Sequence, residues 1–269
     1  MPKCRTDTCE TNVDNEGDLC DGCKNLERSR IEQENGPSEE PSATAPCSDC
    51  TRKIFPSTEV NKSITQTISN APSAYSAWNG TYSWNSKFTL TVDRPGCKIN
   101  VKIKIKISGS ITDTKKNAWK TAIVNKWSNK VKLVCNDPTC PAACTSGSPV
   151  VVELEYVSSG EHYTVTANAA SATEGGRSGL GGTTSMTGWG VDDTVDITHE
   201  FGHMLGNSDE YFTTNGVDYT IEGESAFRAP SGKVMNNPAK GPRKTNYNFI
   251  KEQVEKVIGG GATCRIDDV

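Results

Sequence analysis

The residues of this chain that could do chemistry begin with its histidines. There are only three, and two of them, His199 and His203, stand four residues apart with Glu200 directly after the first. A His-Glu-x-x-His pattern is expected by chance in roughly two of a thousand chains of this composition. On a helix, positions i and i+4 lie one turn apart on the same face, so both imidazoles can bind one zinc ion. Glu200 then lies beside them, where its carboxylate can polarise an attacking water molecule.

The residues after the second histidine offer a third ligand. Gly206 follows His203 by three residues, and Asp209 follows Gly206 by another three. A glycine at this point lets the backbone turn back sharply, which brings the next side chain toward the metal. We therefore expect Asp209 to be the third ligand, with Glu210 as a neighbouring rival.

The extended pattern His-Glu-x-x-His-x-x-Gly-x-x-Asp resembles the motif of the metzincin clan of zinc endopeptidases, in the variant whose third ligand is Asp, as in the small snapalysin-type peptidases. That clan places a tight turn containing Met beneath the zinc ligands. Met235 lies in a segment of this kind, residues 231–238, and follows Asp209 by 26 residues. The resemblance covers about residues 75–258. The chain is also loosely similar to metzincin-type cargo of bacterial injection systems.

The resemblance implies an α+β fold: a metzincin-like catalytic domain with a twisted mixed sheet, a backing helix, the zinc helix, the Met-turn and a C-terminal helix. It implies a catalytic Zn²⁺ held by His199, His203 and Asp209, with Glu200 as the general base. Met235 would be the structural residue of the Met-turn.

Two points of the resemblance stay open. Tyr247 or Tyr211 is a candidate for contact with the oxyanion, because no Tyr directly follows the Met of the turn. A thermolysin-like topology would instead recruit a Glu from a later helix, and Glu222 and Glu224 are available for that part. This alternative leaves the glycine and the methionine of the motif unexplained.

The elements that position these residues are predicted from hydrophobic periodicity. Between residues 99 and 107 isoleucine or valine alternates with lysine or asparagine, which predicts a strand. Trp119, Ile123 and Trp127 form the apolar stripe of a helix that Thr112 or Asp113 can cap. Further predictions are strands at 131–134, 150–157 and 163–167, the zinc helix from Asp192 or Asp193 to Gly206, and a last helix with Tyr247, Ile250, Val254 and Val257 on one face before Gly259. The glycine-rich segment 175–190 is the candidate rim against which an extended substrate could pair.

The first 60 residues differ from the rest in composition. They contain no Trp or Tyr, a single Phe and six of the eleven Cys. Such a segment has no hydrophobic core of its own, so we place a domain boundary near residue 60, with a Cys-rich segment and linker at 1–60 and the catalytic domain at 61–269. Two Cys-x-x-Cys pairs favour a second, structural Zn²⁺, with a disordered tail or a disulfide cluster as the alternatives. The candidate ligands are Cys20, Cys23, Cys47 and Cys50, with Cys4 and Cys9 upstream.

The other five cysteines fall within the predicted catalytic domain. They are Cys97, Cys135, Cys140, Cys144 and Cys264. The sequence leaves open whether they form one or two disulfides or stay reduced, and it cannot assign their pairing. The third histidine, His162, is expected at an exposed strand end.

The overall charge of −4 hides a strong division along the chain. Residues 1–60 carry −6, residues 61–140 carry +10 and residues 141–269 carry −8. The lysines of the alternating strand have no interleaved aromatic residues, so we interpret them as a solvated sheet face and do not expect nucleic acid as a partner. No stretch approaches the length of an apolar membrane span.

These observations lead to one expected function and one rival. The expected function is a zinc-dependent endopeptidase that acts on protein or peptide substrates. The rival is a zinc-knuckle binding module, of the zinc-ribbon type, on a catalytically idle metzincin-like scaffold. The residues Met-Pro-Lys-Cys-Arg-Thr-Asp lack the layout of a secretory signal, which predicts synthesis in the cytoplasm and, for any export, a non-classical route. A narrower hypothesis is a delivered bacterial toxin or effector, whose N-terminal segment binds a partner or the delivery machinery.

Overall fold

The computed structural model describes residues 52–68, 79–168, 185–209, 234–235 and 239–269. These residues form an α+β fold of eight strands, three α-helices and one turn of 3-10 helix. The strands are β1 (Thr58–Ile68), β2 (Gly80–Asp93), β3 (Lys98–Ser108), β4 (Val131–Asn136), β5 (Ser148–Tyr156), β6 (Tyr163–Asn168), β7 (Gly188–Gly190) and β8 (Thr263–Asp268). The helices are α1 (Asp113–Trp127), α2 (Asp196–Met204) and α3 (Asn248–Ile258), and the 3-10 turn is Lys244–Tyr247.

The strands join in one mixed sheet. Its order is β1-β2-β3-β5-β4-β8, with β6 paired to the end of β3 and β7 paired to β6. The β1–β2, β2–β3, β4–β5 and β4–β8 pairs are antiparallel, and β3–β5, β3–β6 and β6–β7 are parallel. The β1–β2 hairpin pairs along its whole length, whereas β2 pairs with β3 only from Thr89 to Asp93. The other half of the hairpin is therefore free to lie against the helices.

The strand predicted between residues 99 and 107 is confirmed as β3. Its isoleucines and valine at 99, 101, 103 and 105 are buried, and the lysines between them lie on the other face of the sheet. The buried row packs in one core with the apolar side chains of all three helices. Alternation with a period of two thus gives β3 one core face and one polar face.

Helix α1 is the helix that the apolar stripe predicted. The Thr112 side chain caps it by accepting a hydrogen bond from the Lys115 N–H at 3.4 Å. Trp119, Ile123 and Trp127 are fully buried. The Trp119 ring meets the Trp189 ring of β7 edge to face, with centroids 5.2 Å apart. These contacts fix α1 across the sheet and next to helix α2.

The lysines on the outer face of β3 are matched by carboxylates on β5 and β1. Lys102 lies 3.6 Å from Glu153 and 3.3 Å from Glu155 on β5, and Lys104 lies 3.8 Å from Glu59 on β1. The local excess of positive charge in this part of the sequence is thus offset in space by strands that are distant along the chain.

The expectation that His162 is exposed was wrong. Its side chain is only 9% exposed. Its Nδ1 accepts a hydrogen bond from the Lys104 N–H at 3.0 Å, and its Nε2 lies 2.8 Å from a Glu59 carboxylate oxygen. The imidazole therefore links the start of β6 to β1 and β3, so His162 has a structural role.

The ordered sheet begins before residue 60. Strand β1 starts at Thr58, Ile54 forms a bridge with Asp93, and the Phe55 ring is buried in the core beneath the Arg94 guanidinium. Residues before 52 lie outside the described part of the chain, so the predicted structural zinc ligands Cys4, Cys9, Cys20, Cys23, Cys47 and Cys50 have no structural account here. None of the helices in the described ranges has the length and apolar character needed to cross a bilayer.

Two disulfides cross-link the described part of the chain. Cys135 of β4 pairs with Cys264, which lies directly opposite on β8. Cys97, in the β2–β3 turn, pairs with Cys144 in the loop between β4 and β5. The buried Arg94 also forms an ion pair with the buried Asp137 of that loop. The pairing that the sequence left open is thus settled for four of the cysteines.

Candidate metal centre

Helix α2 carries the His-Glu-x-x-His motif. It begins at Asp196, later than predicted, because the Asp193 carboxylate accepts hydrogen bonds from the Val195 and Asp196 N–H groups at 2.9 and 2.8 Å. Asp193 thus satisfies backbone donors that a longer helix would have used internally. The Trp127 indole N–H donates to the Thr198 carbonyl at 2.8 Å and holds the first turn of α2 against α1.

The two histidines each have one ring nitrogen held by a backbone carbonyl. His199 Nδ1 donates to the Val234 carbonyl at 2.9 Å, and His203 Nδ1 donates to the Asn207 carbonyl at 2.8 Å. A carbonyl oxygen can only accept, so both Nδ1 atoms carry hydrogen. In the neutral imidazole the lone pair is then on Nε2, which is the atom left to bind a metal.

Asp209 meets both Nε2 atoms. One of its carboxylate oxygens lies 3.1 Å from His199 Nε2 and 3.3 Å from His203 Nε2, and the carboxylate is buried. The imidazole rings stand nearly perpendicular, with centroids 4.9 Å apart. Within the described residues this is the group of His, Cys, Asp and Glu side chains whose ligand atoms converge, all within 4.8 Å of one another.

The electrostatics of this group favour positive charge between the three side chains. Burial lowers the pKa of His199, but the Asp209 carboxylate more than offsets burial and raises it to about 9. Burial raises the pKa of Asp209, yet the two imidazoles hold it well below its usual range. When both Nε2 atoms are unprotonated, as metal binding requires, two nitrogen lone pairs and a carboxylate face one another at contact distance. The three side chains can therefore hold a metal ion, since a cation relieves this repulsion.

Glu200 completes the arrangement. It follows His199 directly on α2, it is half-buried, and burial raises the pKa of its carboxyl group. The nearby imidazoles act in the opposite direction. A carboxyl group whose proton affinity is raised in this way is suited to accept and return a proton near neutral pH.

Two glycines allow the chain to pack this closely. A Cβ on Gly202 would lie 2.8 Å from the Trp127 ring and would clash with the sulfur of Met235. A Cβ on Gly206 would come within 2.5 Å of the Phe249 ring, and its φ of 93° favours glycine in any case. Both positions therefore need glycine, the first for packing beneath the histidines and the second for the turn toward Asp209.

Comparison of the chain with protein-family models, with characterised proteins and with solved structures finds no match. The geometry of the site thus stands on the residues alone.

Met235 packs beneath helix α2. Its side chain is fully buried against Gly202. The neighbouring Val234 is held by its N–H, which donates to the Gly241 carbonyl at 3.1 Å, and its own carbonyl accepts from His199. Residues 231–233 and 236–238 lie outside the described residues, so the turn itself is not described beyond these two positions.

The position of Tyr247 does not support the proposed contact with the oxyanion. Its ring is fully buried, and its hydroxyl donates to the Trp127 carbonyl at 2.7 Å. This hydroxyl satisfies the C-terminal end of α1 and is not presented to a substrate, so the oxyanion hypothesis for Tyr247 is not supported. The rival residues Glu210, Tyr211, Glu222 and Glu224, and positions 175–184 of the glycine-rich segment, lie outside the described residues.

The β1–β2 hairpin contributes residues that sequence reasoning missed. The Trp84 indole N–H donates to the His203 carbonyl at 2.9 Å, and the Ser86 hydroxyl donates to the Met204 carbonyl at 2.7 Å. Gln66 bonds the backbone of Asp209. The last carbonyls of a helix lack partners within the helix, so the hairpin acts as the cap of α2. The sequence offers little signal for this because the partners are more than a hundred residues apart.

Proposed function

We propose that this protein is a zinc-dependent endopeptidase with a metzincin-like catalytic domain. The observation that carries the proposal is the convergence of His199 Nε2, His203 Nε2 and the Asp209 carboxylate at 3.1 and 3.3 Å, with Glu200 adjacent. Two imidazoles and one carboxylate form a ligand set that suits Zn²⁺ and leaves a position for water or substrate. The long sequence motif and the buried Met235 support the same proposal.

The histidines would hold the metal in a fixed orientation. The carbonyls of Val234 and Asn207 keep both Nδ1 atoms protonated and both Nε2 atoms turned inward. Hydrogen bonds of this kind fix ring orientation and raise the basicity of the ligand. When bound, zinc would polarise a peptide carbonyl and lower the pKa of a water molecule toward about 7.

Glu200 would carry the proton through the reaction. Its carboxylate accepts a proton from the attacking water as the water oxygen bonds to the carbonyl carbon. The same proton then passes to the amide nitrogen as the C–N bond breaks, which releases a free amine and leaves Glu200 ionised again. The raised pKa of this half-buried group suits both steps.

The working environment is part of the proposal. Two disulfides in the described domain favour a compartment that is oxidising. An oxidising compartment is compatible with a protein that is exported or delivered after synthesis. The proposed toxin or effector role would require such export or delivery. Expression of wild type and of an inactive Glu200 variant in a target cell tests that role, and equal toxicity of the two would count against it.

The enzyme itself is tested by comparing wild type with Glu200→Gln on unfolded casein. We expect the variant to bind the same amount of zinc and to cleave about 10²- to 10⁴-fold more slowly, since it cannot accept a proton. A chelator should abolish wild-type cleavage and added zinc should restore it. Glu252→Gln, an exposed position of α3, is the matched control and should behave as wild type.

Two outcomes would overturn the proposal. Equal cleavage by wild type and Glu200→Gln would show that Glu200 is not the general base. Cleavage that survives the chelator would show that the reaction needs no metal. A protein that binds zinc but cleaves neither casein nor its own Glu200→Gln copy would favour the rival binding module.

A further inference from the structure

Gln66 makes two hydrogen bonds to the backbone of Asp209. Its side-chain Nε2 donates to the Asp209 carbonyl at 2.8 Å, and its Oε1 accepts from the Asp209 N–H at 3.1 Å. The two residues are 143 positions apart, and the Gln66 side chain is only 4% exposed. One buried amide thus satisfies both polar groups of the residue that closes the metal centre.

The chemistry of this contact needs an amide. At neutral pH only Asn and Gln combine a donor and an acceptor in one planar group that can meet a backbone N–H and C=O together. A buried backbone group without a partner is unfavourable, so the pair of bonds selects one position of the Asp209 backbone. We call this pair of hydrogen bonds the clamp. The Asp209 carboxylate is one methylene away from the backbone that the clamp holds, so the clamp restricts where the carboxylate oxygens can lie.

The hairpin that carries Gln66 also holds the second histidine. Gln66 lies opposite Tyr82 in the β1–β2 register, and Trp84 and Ser86 follow on β2 at intervals of two, on the same face. Trp84 and Ser86 bond the carbonyls of His203 and Met204. The Trp84 ring also meets the His203 imidazole edge to face, with centroids 5.3 Å apart. One rigid ribbon thus contacts two of the three ligand residues.

We propose that Gln66 is a positioning residue for the third metal ligand, because its amide fixes the Asp209 backbone and with it the distance between the carboxylate and the two imidazoles. The inference rests on the metal site of the proposed function and adds a determinant that the motif does not contain. Gln66 offers no atom to the converging ligand group, and its amide bonds the Asp209 backbone. It acts through Asp209, and its removal changes metal affinity before it changes anything else.

The test compares metal binding by wild type, Gln66→Met and Ser86→Ala. Methionine keeps the length and volume of Gln66 but removes both hydrogen bonds. We expect Gln66→Met to weaken zinc binding about 10- to 100-fold in a chelator competition, as loss of an outer-shell partner does in other metal sites. Ser86→Ala removes a bond from the same hairpin to the Met204 carbonyl at the end of α2 and leaves Asp209 untouched, so its zinc affinity should stay within about threefold of wild type.

A spectroscopic readout separates positioning from loss of stability. With Co²⁺ in place of Zn²⁺, the visible absorption of Gln66→Met should shift toward that of Asp209→Asn, because the carboxylate no longer holds its place. A purely structural role would lower the melting temperature and leave the Co²⁺ spectrum unchanged. If Gln66→Met does not fold, as judged by near-ultraviolet circular dichroism, Gln66→Asn serves instead, since it keeps an amide that is one methylene too short.

The outcomes distinguish this inference from the function beneath it. If wild type binds neither Zn²⁺ nor Co²⁺, the proposed function fails and the clamp fails with it. If wild type binds and Gln66→Met binds equally well with the same Co²⁺ spectrum, only the clamp is overturned. If Ser86→Ala weakens zinc binding as much as Gln66→Met, the effect belongs to the hairpin as a whole. The specific positioning role of Gln66 is then overturned.

Discussion

The metal centre and the disulfide corner are built in opposite ways. We use "metal centre" for His199, His203 and Asp209, and "disulfide corner" for the Cys97–Cys144 and Cys135–Cys264 pairs. The metal centre is placed by hydrogen bonds between side chains and backbone, on a helix packed against Trp127 and Met235. The disulfide corner joins the irregular loop after β4 and the final strand β8 to the rest of the sheet by covalent bonds.

The difference follows from what each region can bury. Helix α2 buries Ile197, Phe201 and Met204 completely, so the core fixes its position and hydrogen bonds need only adjust the ligands. The loop between β4 and β5 buries few apolar side chains, and strand β8 is exposed or half-buried along its length. Such segments gain little from the hydrophobic effect, and cross-links take its place. The two regions should therefore respond to different perturbations.

The largest expected effect is the loss of a metal ligand. His203→Ala removes one of the three ligand atoms and should reduce the metal content of purified protein from one ion toward none at this site. The disulfides should remain intact, because they depend on no metal. Elemental analysis with thiol titration measures both. A further ion that persists in His203→Ala would support the structural zinc site predicted for the N-terminal cysteines.

Removal of a cross-link should have the next largest effect. The Cys135–Cys264 pair closes a loop between residues 129 positions apart. From the loop entropy of the unfolded chain alone, such a cross-link stabilises the fold by about 5 kcal/mol. We expect the double variant Cys135→Ser with Cys264→Ser to lose stability of that order in urea denaturation. Zinc affinity should stay within about threefold of wild type. A parallel loss of zinc affinity would show that the two regions are coupled.

A smaller effect is expected beneath the histidines. Gly202→Ala forces a methyl group against the Trp127 ring and Met235, and we expect a loss of about 1–3 kcal/mol in the free energy of unfolding, with weaker zinc binding. Gly241→Ala is the matched control because a Cβ there meets no atom within 4 Å. It should stay within about 0.5 kcal/mol of wild type. Equal loss in both variants would contradict the packing that we describe.

The smallest effect is expected at Tyr247. Tyr247→Phe removes the hydrogen bond to the Trp127 carbonyl and keeps the buried ring, so stability should fall by about 1 kcal/mol. Activity for each folded molecule should not change, because the hydroxyl faces the core. Casein cleavage at saturating zinc measures this. A selective fall in kcat would restore the oxyanion hypothesis that the structure does not support.

Much of the metal centre could be predicted from local sequence. The spacing of His199 and His203 places both on one helix face, and Gly206 turns the chain so that Asp209 can follow. Strand β3 and helix α1 were also predicted well, because their apolar residues repeat with clear periods of two and of about four. In each case the information lies within a dozen residues.

Other elements had too weak a local signal. Strand β1 is rich in Thr, Asn, Ser and Gln because half of the hairpin extends beyond β3, and no hydrophobic alternation marks it. Strand β8 follows three glycines and carries charged residues, so no periodic pattern predicts an element after the last helix. Tyr247 was a candidate for oxyanion contact because a tyrosine hydroxyl can donate a hydrogen bond. Only its packing shows that this hydroxyl bonds the Trp127 carbonyl in the core.

By itself, then, the sequence determined the types of the candidate ligands, their order along the chain and the helix and strand that support them, since these depend on neighbours along the chain. Only the tertiary structure decided which cysteines pair, where Tyr247 lies and that Gln66 holds Asp209. Those contacts join residues that are dozens to more than a hundred positions apart. No local pattern encodes such partners, because it is the closing of the whole sheet that brings them together.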